Sequence, residues 1–246
     1  MERFYRKSFA GNDLVYFDVK CEQTDLRIAT DTDLHDKAKG LVDKYRGHIE
    51  NYIKENNEFL LSLKPITVPL NAADIVRKMC QAAQKVNVGP MAAVAGAIGE
   101  FVGNDLLKYS EEVIIENGGD LFVKSNHYRR VGIYAGESPF TGKLAIEIPP
   151  SSVPIGICTS SGTIGHSLSF GKADAAMIMS EDVSLSDAMA TAMGNLVSTA
   201  QDIEKGLNYA KCIPEVKGAL IIVGDKIGAW GEIKLVTVKC DYQNKK

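Results

Sequence analysis

Val113-Ile114-Ile115-Glu116-Asn117-Gly118-Gly119-Asp120-Leu121-Phe122-Val123 reads as strand, turn, strand. Apolar runs flank a double glycine that supplies the positive φ a tight hairpin needs. Working outward, residues 13–29 carry Val15, Tyr16, Phe17 and Val19, then Leu26 and Ile28, around the polar Glu22-Gln23-Thr24; this predicts an N-terminal hairpin. From Thr32 to Leu63, Leu34, Ala38, Leu41, Val42, Tyr45, Ile49, Tyr52 and Ile53 recur at a helical period, so one long amphipathic helix is expected, ended by Pro65. Asn71 is expected to cap a helix through about Val86, and Pro90 to sit in the first turn of a small-residue helix over Met91 to Val102. Such a helix can approach a neighbour or a ligand closely.

Downstream, strands are expected at about 129–135, 143–148, 154–158 and 173–179, and a helix from Ser184 to about Glu204. A hairpin over Gly218 to Gly231 follows, its second strand running to about Val238. Strands and helices in mixed blocks, without regular βα alternation, predict an α+β fold. The 246 residues are long enough for a substantial core, and residues 1–246 are read as a single domain.

Composition narrows the function. With 28 Lys+Arg against 31 Asp+Glu, a formal net charge of -3, there is no general attraction for nucleic acid, and no nucleic-acid partner is expected. Cys21, Cys80, Cys158, Cys212 and Cys240 are scattered, odd in number and free of C-x-x-C spacing, which argues against a zinc site or a disulfide framework. They are read as reduced thiols in the cytoplasm. Met1-Glu2-Arg3-Phe4-Tyr5-Arg6-Lys7 has no apolar run behind its charges, unlike a secretory signal. No stretch reaches the ~18 apolar residues of a membrane span, so no membrane partner is expected. One face of the 32–63 helix serves either the core or a dimer; composition leaves a homo-oligomer open.

Two stretches carry candidate chemistry. Thr159-Ser160-Ser161-Gly162-Thr163-Ile164-Gly165-His166-Ser167 is a loop of hydroxyls, glycines and one histidine, and small polar groups with backbone N–H donors suit phosphate oxygens. His166 either donates to a phosphate or carries a proton near neutral pH, or it is a surface residue. Ser186-Asp187-Ala188-Met189-Ala190-Thr191-Ala192 places Asp187 and Thr191 one helical turn apart, where two oxygens can converge on a hard cation such as Mg²⁺. The plain alternative is that Asp187 complements the dipole of its own helix and Thr191 bonds back to a carbonyl. Gly156-Ile157-Cys158-Thr159-Ser160 lacks the second glycine of a nucleophile turn, and neither G-x-x-x-x-G-K-[ST] nor G-x-G-x-x-G occurs in context.

Taken in order, Gly89-Pro90-Met91-Ala92-Ala93-Val94-Ala95-Gly96, Glu116-Asn117-Gly118-Gly119-Asp120, Thr159-Ser160-Ser161-Gly162 and Ser186-Asp187-Ala188-Met189-Ala190-Thr191-Ala192 resemble the ApbE-like superfamily, best understood through its FAD:protein FMN transferases. More closely, the chain is similar to the short, cytoplasmic, uncharacterised UPF branch of that superfamily, over about residues 70–238. The resemblance implies a single ApbE-like α+β domain, with mixed strands and helices around a nucleotide-binding cleft. It implies Mg²⁺ held by Asp187 and Thr191, which match the D-A-x-x-T motif, with a backbone carbonyl near Ala93 to Ala95, taken as that of Ala93, as third ligand. Gly118, Gly119, Asp120, Thr159, Ser160, Ser161, Gly162 and Thr163 would bind FAD or a related nucleotide, and His166 is the candidate catalytic residue.

There are departures. The lysine of the transferases' G-G-I-A-K-G segment is Ala95 here, the acidic residue six places earlier is Gly89, and H-x-x-D-P-x-x-G is absent. The resemblance therefore implies a Mg²⁺-dependent flavin- or nucleotide-binding protein acting on a pyrophosphate-containing nucleotide such as FAD, with a protein acceptor as a further partner. The alternative is a non-catalytic nucleotide-binding or interaction protein that retains the fold.

Overall fold

The computed structural model describes residues 13–162 and 171–238. The hairpin that opened the reading is strands β3 (Val113–Asn117) and β4 (Asp120–Lys124), paired antiparallel with Asn117 opposite Asp120. Gly118 and Gly119 take φ of 70° and 111°, a backbone that L side chains rarely adopt. The N-terminal hairpin is β1 (Val15–Cys21) and β2 (Thr24–Thr30). The remaining strands are β5 (Arg129–Gly132), β6 (Leu144–Ile148), β7 (Ile155–Ser160), β8 (Ala175–Ser180), β9 (Val216–Val223), β10 (Lys226–Gly231) and β11 (Leu235–Thr237). An eight-stranded sheet runs β1-β2-β3-β4-β7-β8-β9-β10, and β11-β6-β5 form a second sheet. Every recorded pair is antiparallel, and the fold is α+β as expected.

The helices are α1 (His35–Glu55), α2 (Asn57–Leu61), α3 (Asp74–Lys85), α4 (Val94–Leu106), α5 (Val183–Asn195) and α6 (Ile203–Lys211). They pack with Phe122, Cys158 and Ile178 on one face of the large sheet. The smaller sheet covers the other face, where Leu121, Val123 and Ile157 meet Val131, Ile146 and Ile148. Strand alternation produces this sorting, since neighbouring residues of β4 and β7 point to opposite faces.

Several boundaries differ from the sequence reading. The expected 32–63 helix breaks at Asn56, which takes φ −137° and ψ 73° while its Nδ2 donates to Tyr52 O at 3.2 Å. A side-chain amide that bonds the backbone competes with helical hydrogen bonding, and the break lets Phe59 bury completely edge-on to Tyr52, centroids 5.2 Å apart. Helix α3 starts at Asp74 after Ala73, with no side-chain cap, so Asn71 does not cap it. Pro90 to Ala93 form a 3₁₀ turn before α4. The helix expected over 184–204 ends at Asn195; Asp202 then accepts from the N–H of Ser198 (3.0 Å) and Thr199 (2.8 Å) to cap a new start. The strand expected to reach Val238 ends at Gly231, where φ is 78° and an added Cβ would stand 2.1 Å from Lys217 O. The chain crosses there to the smaller sheet.

Among the described residues, no single helix is long and apolar enough to cross a membrane, and the apolar pair Asp74–Lys85 and Pro90–Leu106 is bent by 105°. Cys21, Cys80, Cys158 and Cys212 are free thiols.

The start of β3 is tied to β5 by a buried carboxylate. Glu112 accepts from Ser125 Oγ and from Arg129 Nη2 (2.7 Å), and His127 Nδ1 lies 2.7 Å from its other oxygen. Burial pushes its carboxyl up, but the bonds from Ser125, Arg129 and His127 outweigh that and hold it at about 2. A depressed carboxyl contributes stability above its unfolded value near 4.5 that is lost as pH falls through the folded value. Glu112→Gln is therefore expected to cost roughly 2 kcal/mol at pH 7 and to flatten the acid limb of stability between pH 5 and 2. Urea melts across that range check both.

Candidate functional site

The hairpin turn, the end of β7 and the first turns of α4 and α5 meet on the helix-covered face of the large sheet. Phe122 opposes Gly156 and Leu121 opposes Ile157, so the next position sets Asp120 beside Cys158. Cross-strand partners share a face, hence Asn117, Asp120, Cys158 and Ser160 all look toward the helices. Asn117 Nδ2 donates to Ala95 O in α4 at 3.1 Å. The Cys158 thiol donates to Val183 O in α5 at 3.6 Å.

Asp187 stands one turn after Val183. Gly96 N–H donates to its Oδ2 at 2.8 Å, and Ala95 N–H also bonds it. This contact shows Asp187 serving the start of α4 rather than the dipole of its own helix. Its described partners are the N-terminal amides of α4, while α5 is capped by Asp182, which accepts from Leu185 N–H at 2.9 Å. The helices approach this closely because Gly96 has no side chain: a Cβ there would lie 2.7 Å from both Asp187 Cβ and Val183 O. At the far end of α4, Gly103 leaves room for the Phe122 ring, 2.6 Å from where a Cβ would be. The small-residue helix thus serves packing along its length and holds Asp187 at its start.

Burial pushes the Asp187 carboxyl up to about 7, partly offset by the Gly96 and Ala95 amides. Asp120 is pushed well above the usual carboxylate range, first by burial and then by the charge of Asp187, against the Thr159 N–H and the Cys158 thiol. Burial and both carboxylates push the Cys158 thiol up in turn. Among the described residues, neither Asp120 nor Asp187 has an ion pair, whereas Glu100 and Asp182 nearby share Lys78 at 3.3 and 2.9 Å. Glu100 also accepts from Ser184 N–H at 2.8 Å, so this network fixes α3, α4 and α5 against one another near Asp187.

Thr191 lies one turn beyond Asp187 and is half-buried. Ala93 is buried at the end of the 3₁₀ turn; what α4 presents to Asp187 is amide N–H. Thr159 donates its N–H to Asp120 Oδ1 at 3.3 Å, but by strand alternation its hydroxyl lies on the opposite face from Ser160. Ser160 Oγ is buried without a hydrogen-bond partner among the described residues. Ser161 is half-buried and Gly162 exposed. Gly162 N–H donates to Ala173 O at 2.9 Å, and a Cβ at Gly162 would stand 2.0 Å from Gly171 O, so this glycine is required by a chain crossing. Gly118 is exposed, and Gly119 N–H donates to Glu116 Oε1 at 3.1 Å. Thr163 and His166 lie outside the described residues.

The structure therefore joins Asp187 to Asp120, which the sequence reading had placed with the nucleotide rather than the metal. Sequence reasoning did not single out Asn117, Cys158, Lys78 or Glu100. The alternation of β7 back from Ser160 offers a signal for Cys158; the β4–β7 pairing that puts Asp120 beside it is non-local. Among the described residues no three of His, Cys, Asp and Glu form a metal cluster. A hard cation would have to rely on one or two carboxylates, hydroxyl or carbonyl oxygen, water and ligand oxygens, the usual manner of Mg²⁺.

A family model described as AbpE bacteria matches residues 6–224. A UPF0280 protein of Methanocella arvoryzae is 42% identical over 226 residues, covering 90% of this chain and 91% of that protein. One of Methanosarcina barkeri is 40% identical over 230 residues, covering 91% and 90%. Among solved structures, the apo flavinyl transferase ApbE of Pseudomonas stutzeri aligns with a TM-score of 0.58 at 12% identity, over 89% of this chain and 94% of that one. A histidine-to-glycine mutant of the flavin transferase ApbE of Vibrio cholerae aligns with a TM-score of 0.59 at 10% identity, over 89% and 97%. At such identities the likeness is one of fold.

Proposed function

This chain belongs to the AbpE bacteria family, within the ApbE-like superfamily, and from that premise we propose that its cleft is a Mg²⁺-dependent flavin- or nucleotide-binding site for a pyrophosphate-containing nucleotide such as FAD. The observation that carries this reading is Asp187, held by the α4 amides and facing Asp120 without an ion pair among the described residues. Such a pair calls for a cation. An anionic phosphate would be repelled by it directly, so the nucleotide is received through the metal.

Asp187 would supply the charged ligand, Thr191 a hydroxyl and Ala93 a backbone carbonyl. When bound, Mg²⁺ neutralises the pyrophosphate charge. The 159–163 segment, with the unpartnered Ser160 hydroxyl, offers donors to phosphate oxygens, the Gly118-Gly119 turn borders the ligand, and His166 is the candidate proton carrier. Flavin transfer, the activity named for the Pseudomonas stutzeri and Vibrio cholerae proteins, needs more than this. Ala95 and Gly89 replace a lysine and an acidic residue of the transferase pattern, which favours binding over FMN transfer to a protein acceptor. A cytoplasmic location goes with the free thiols.

FAD titration followed by flavin fluorescence, with Mg²⁺ and with EDTA, tests the reading. Binding is expected only with Mg²⁺, and Asp187→Asn is expected to weaken it at least ~10-fold, Thr191→Val less, because a neutral hydroxyl contributes less than a charge. Release of AMP and covalent labelling of an acceptor peptide are expected to be absent or very weak. Equal binding in EDTA would remove the metal from the account, and no binding of FAD or FMN would remove the flavin.

A further inference from the structure

We infer that Asp120 is a second carboxylate ligand of the cation at Asp187, so that the cleft takes a divalent metal on its own, before a nucleotide arrives. This rests on the reading that Asp187 carries the metal. The placement comes from the sheet and α5 together. Asp120 lies beside Cys158 across the β4–β7 ladder, and the Cys158 thiol touches Val183 O, one turn before Asp187. The two carboxylates therefore flank one thiol on the same face of the sheet.

Each carboxylate is oriented by backbone amides: Asp187 by Gly96 N–H at 2.8 Å and Asp120 by Thr159 N–H at 3.3 Å. Neither has a cation among the described residues, although Lys78 serves the adjacent Glu100 and Asp182. Two neighbouring carboxylates held by amides are the kind of oxygen donors a shared divalent ion takes.

Ser160 is an independent pointer to a ligand. It is 8% exposed, and its Oγ lacks a partner among the described residues. It shares the face of Cys158 on β7, and its Oγ would be 3.6 Å from a Cβ at Gly194. Asp187, Thr191 and Gly194 are spaced i, i+4 and i+7, one stripe of α5. An oxygen with unmet bonding capacity thus faces the same stripe of α5, two turns beyond Asp187, where a water or a ligand oxygen would satisfy it. The oxygen donors Asp187, Asp120 and Thr191 favour a hard cation.

The test is Mn²⁺ binding to the full chain at pH 8 without nucleotide, read from the electron paramagnetic resonance signal of free Mn²⁺. The wild type is expected to bind one ion, and Asp120→Asn and Asp187→Asn each to weaken it about tenfold or more. In EDTA at the same pH, Asp120→Asn is expected to melt near the wild-type temperature, since the amide keeps the oxygen that accepts from Thr159 N–H; a merely structural Asp120 would melt lower. Asp120→Ser replaces it if the asparagine variant does not fold. Unchanged binding in Asp120→Asn beside a loss in Asp187→Asn overturns this inference and leaves the metal reading of Asp187 standing. Wild-type protein that binds Mn²⁺ only with FAD also overturns it alone, whereas wild-type binding indifferent to both substitutions overturns the two together.

Discussion

Gly96→Ala is expected to abolish metal-dependent nucleotide binding and to lower the melting temperature by several degrees. The added methyl would stand 2.7 Å from Val183 O, a backbone atom, and 2.7 Å from Asp187 Cβ, so α4 and α5 must separate. Overpacking of this kind costs ~1–3 kcal/mol, or roughly 2–10 °C for a chain of this size. The larger effect is on the cleft, because the same separation breaks the Gly96 N–H bond that orients Asp187, and a displacement of about 1 Å at a site can cost on the order of 10²-fold. Gly103→Ala is the control. Its methyl would meet the Phe122 ring at 2.6 Å, giving a similar loss of stability with binding retained. Differential scanning fluorimetry and FAD titration on both variants separate the effects; equal binding losses would make Gly96 a packing residue only.

Metal-free protein is expected to lose stability as pH rises from about 4 to 7, and Mg²⁺ to restore it. The unfolded carboxyl of Asp187 ionises near its ordinary value of 3.8, whereas burial lifts the folded one to about 7. Between these values the folded state keeps a proton that the unfolded state has lost, so the slope of stability with pH is negative across that window, and the raised carboxyl of Asp120 adds to it in the same direction. At ~1.4 kcal/mol per pKa unit the ceiling is ~4 kcal/mol, and the solvent-accessible edge of Asp187 reduces it to roughly 2 kcal/mol. Because the cation takes the ionised carboxylates, millimolar Mg²⁺ should raise the melting temperature at pH 8 and do little at pH 5. Asp187→Asn should flatten the slope and remove the Mg²⁺ response. Thermal melts in EDTA and in Mg²⁺ from pH 4.5 to 8.5 check this, and a wild-type curve flat in pH would contradict the burial argument.

The hairpin at 113–123 was legible because two adjacent glycines leave the chain few other options there, and the buried strands because their apolar runs are uninterrupted. Helix breaks were less so. Asn56 and Leu196 sit in sequences whose apolar period continues past them, and the breaks arise from a side-chain amide and a downstream cap rather than from a change of period. At the site, the place of Asp187 was readable through local spacing and a motif, and the part proposed for Thr191 rests on the same spacing. Asp120 was found as part of a motif, but its nearness to Asp187 depends on pairing between β4 and β7, separated in sequence by β5 and β6. The role of Gly96 needed the crossing of two helices, which no local pattern encodes.

The most direct test of the account is a crystal of the protein grown with FAD and Mn²⁺, examined for anomalous scattering. The account predicts a single metal peak within coordination distance of Asp187 and beside the FAD pyrophosphate, with the flavin nucleotide lying in the cleft between the 118–120 turn and α5. A metal peak away from Asp187, or FAD bound outside this cleft, would contradict it.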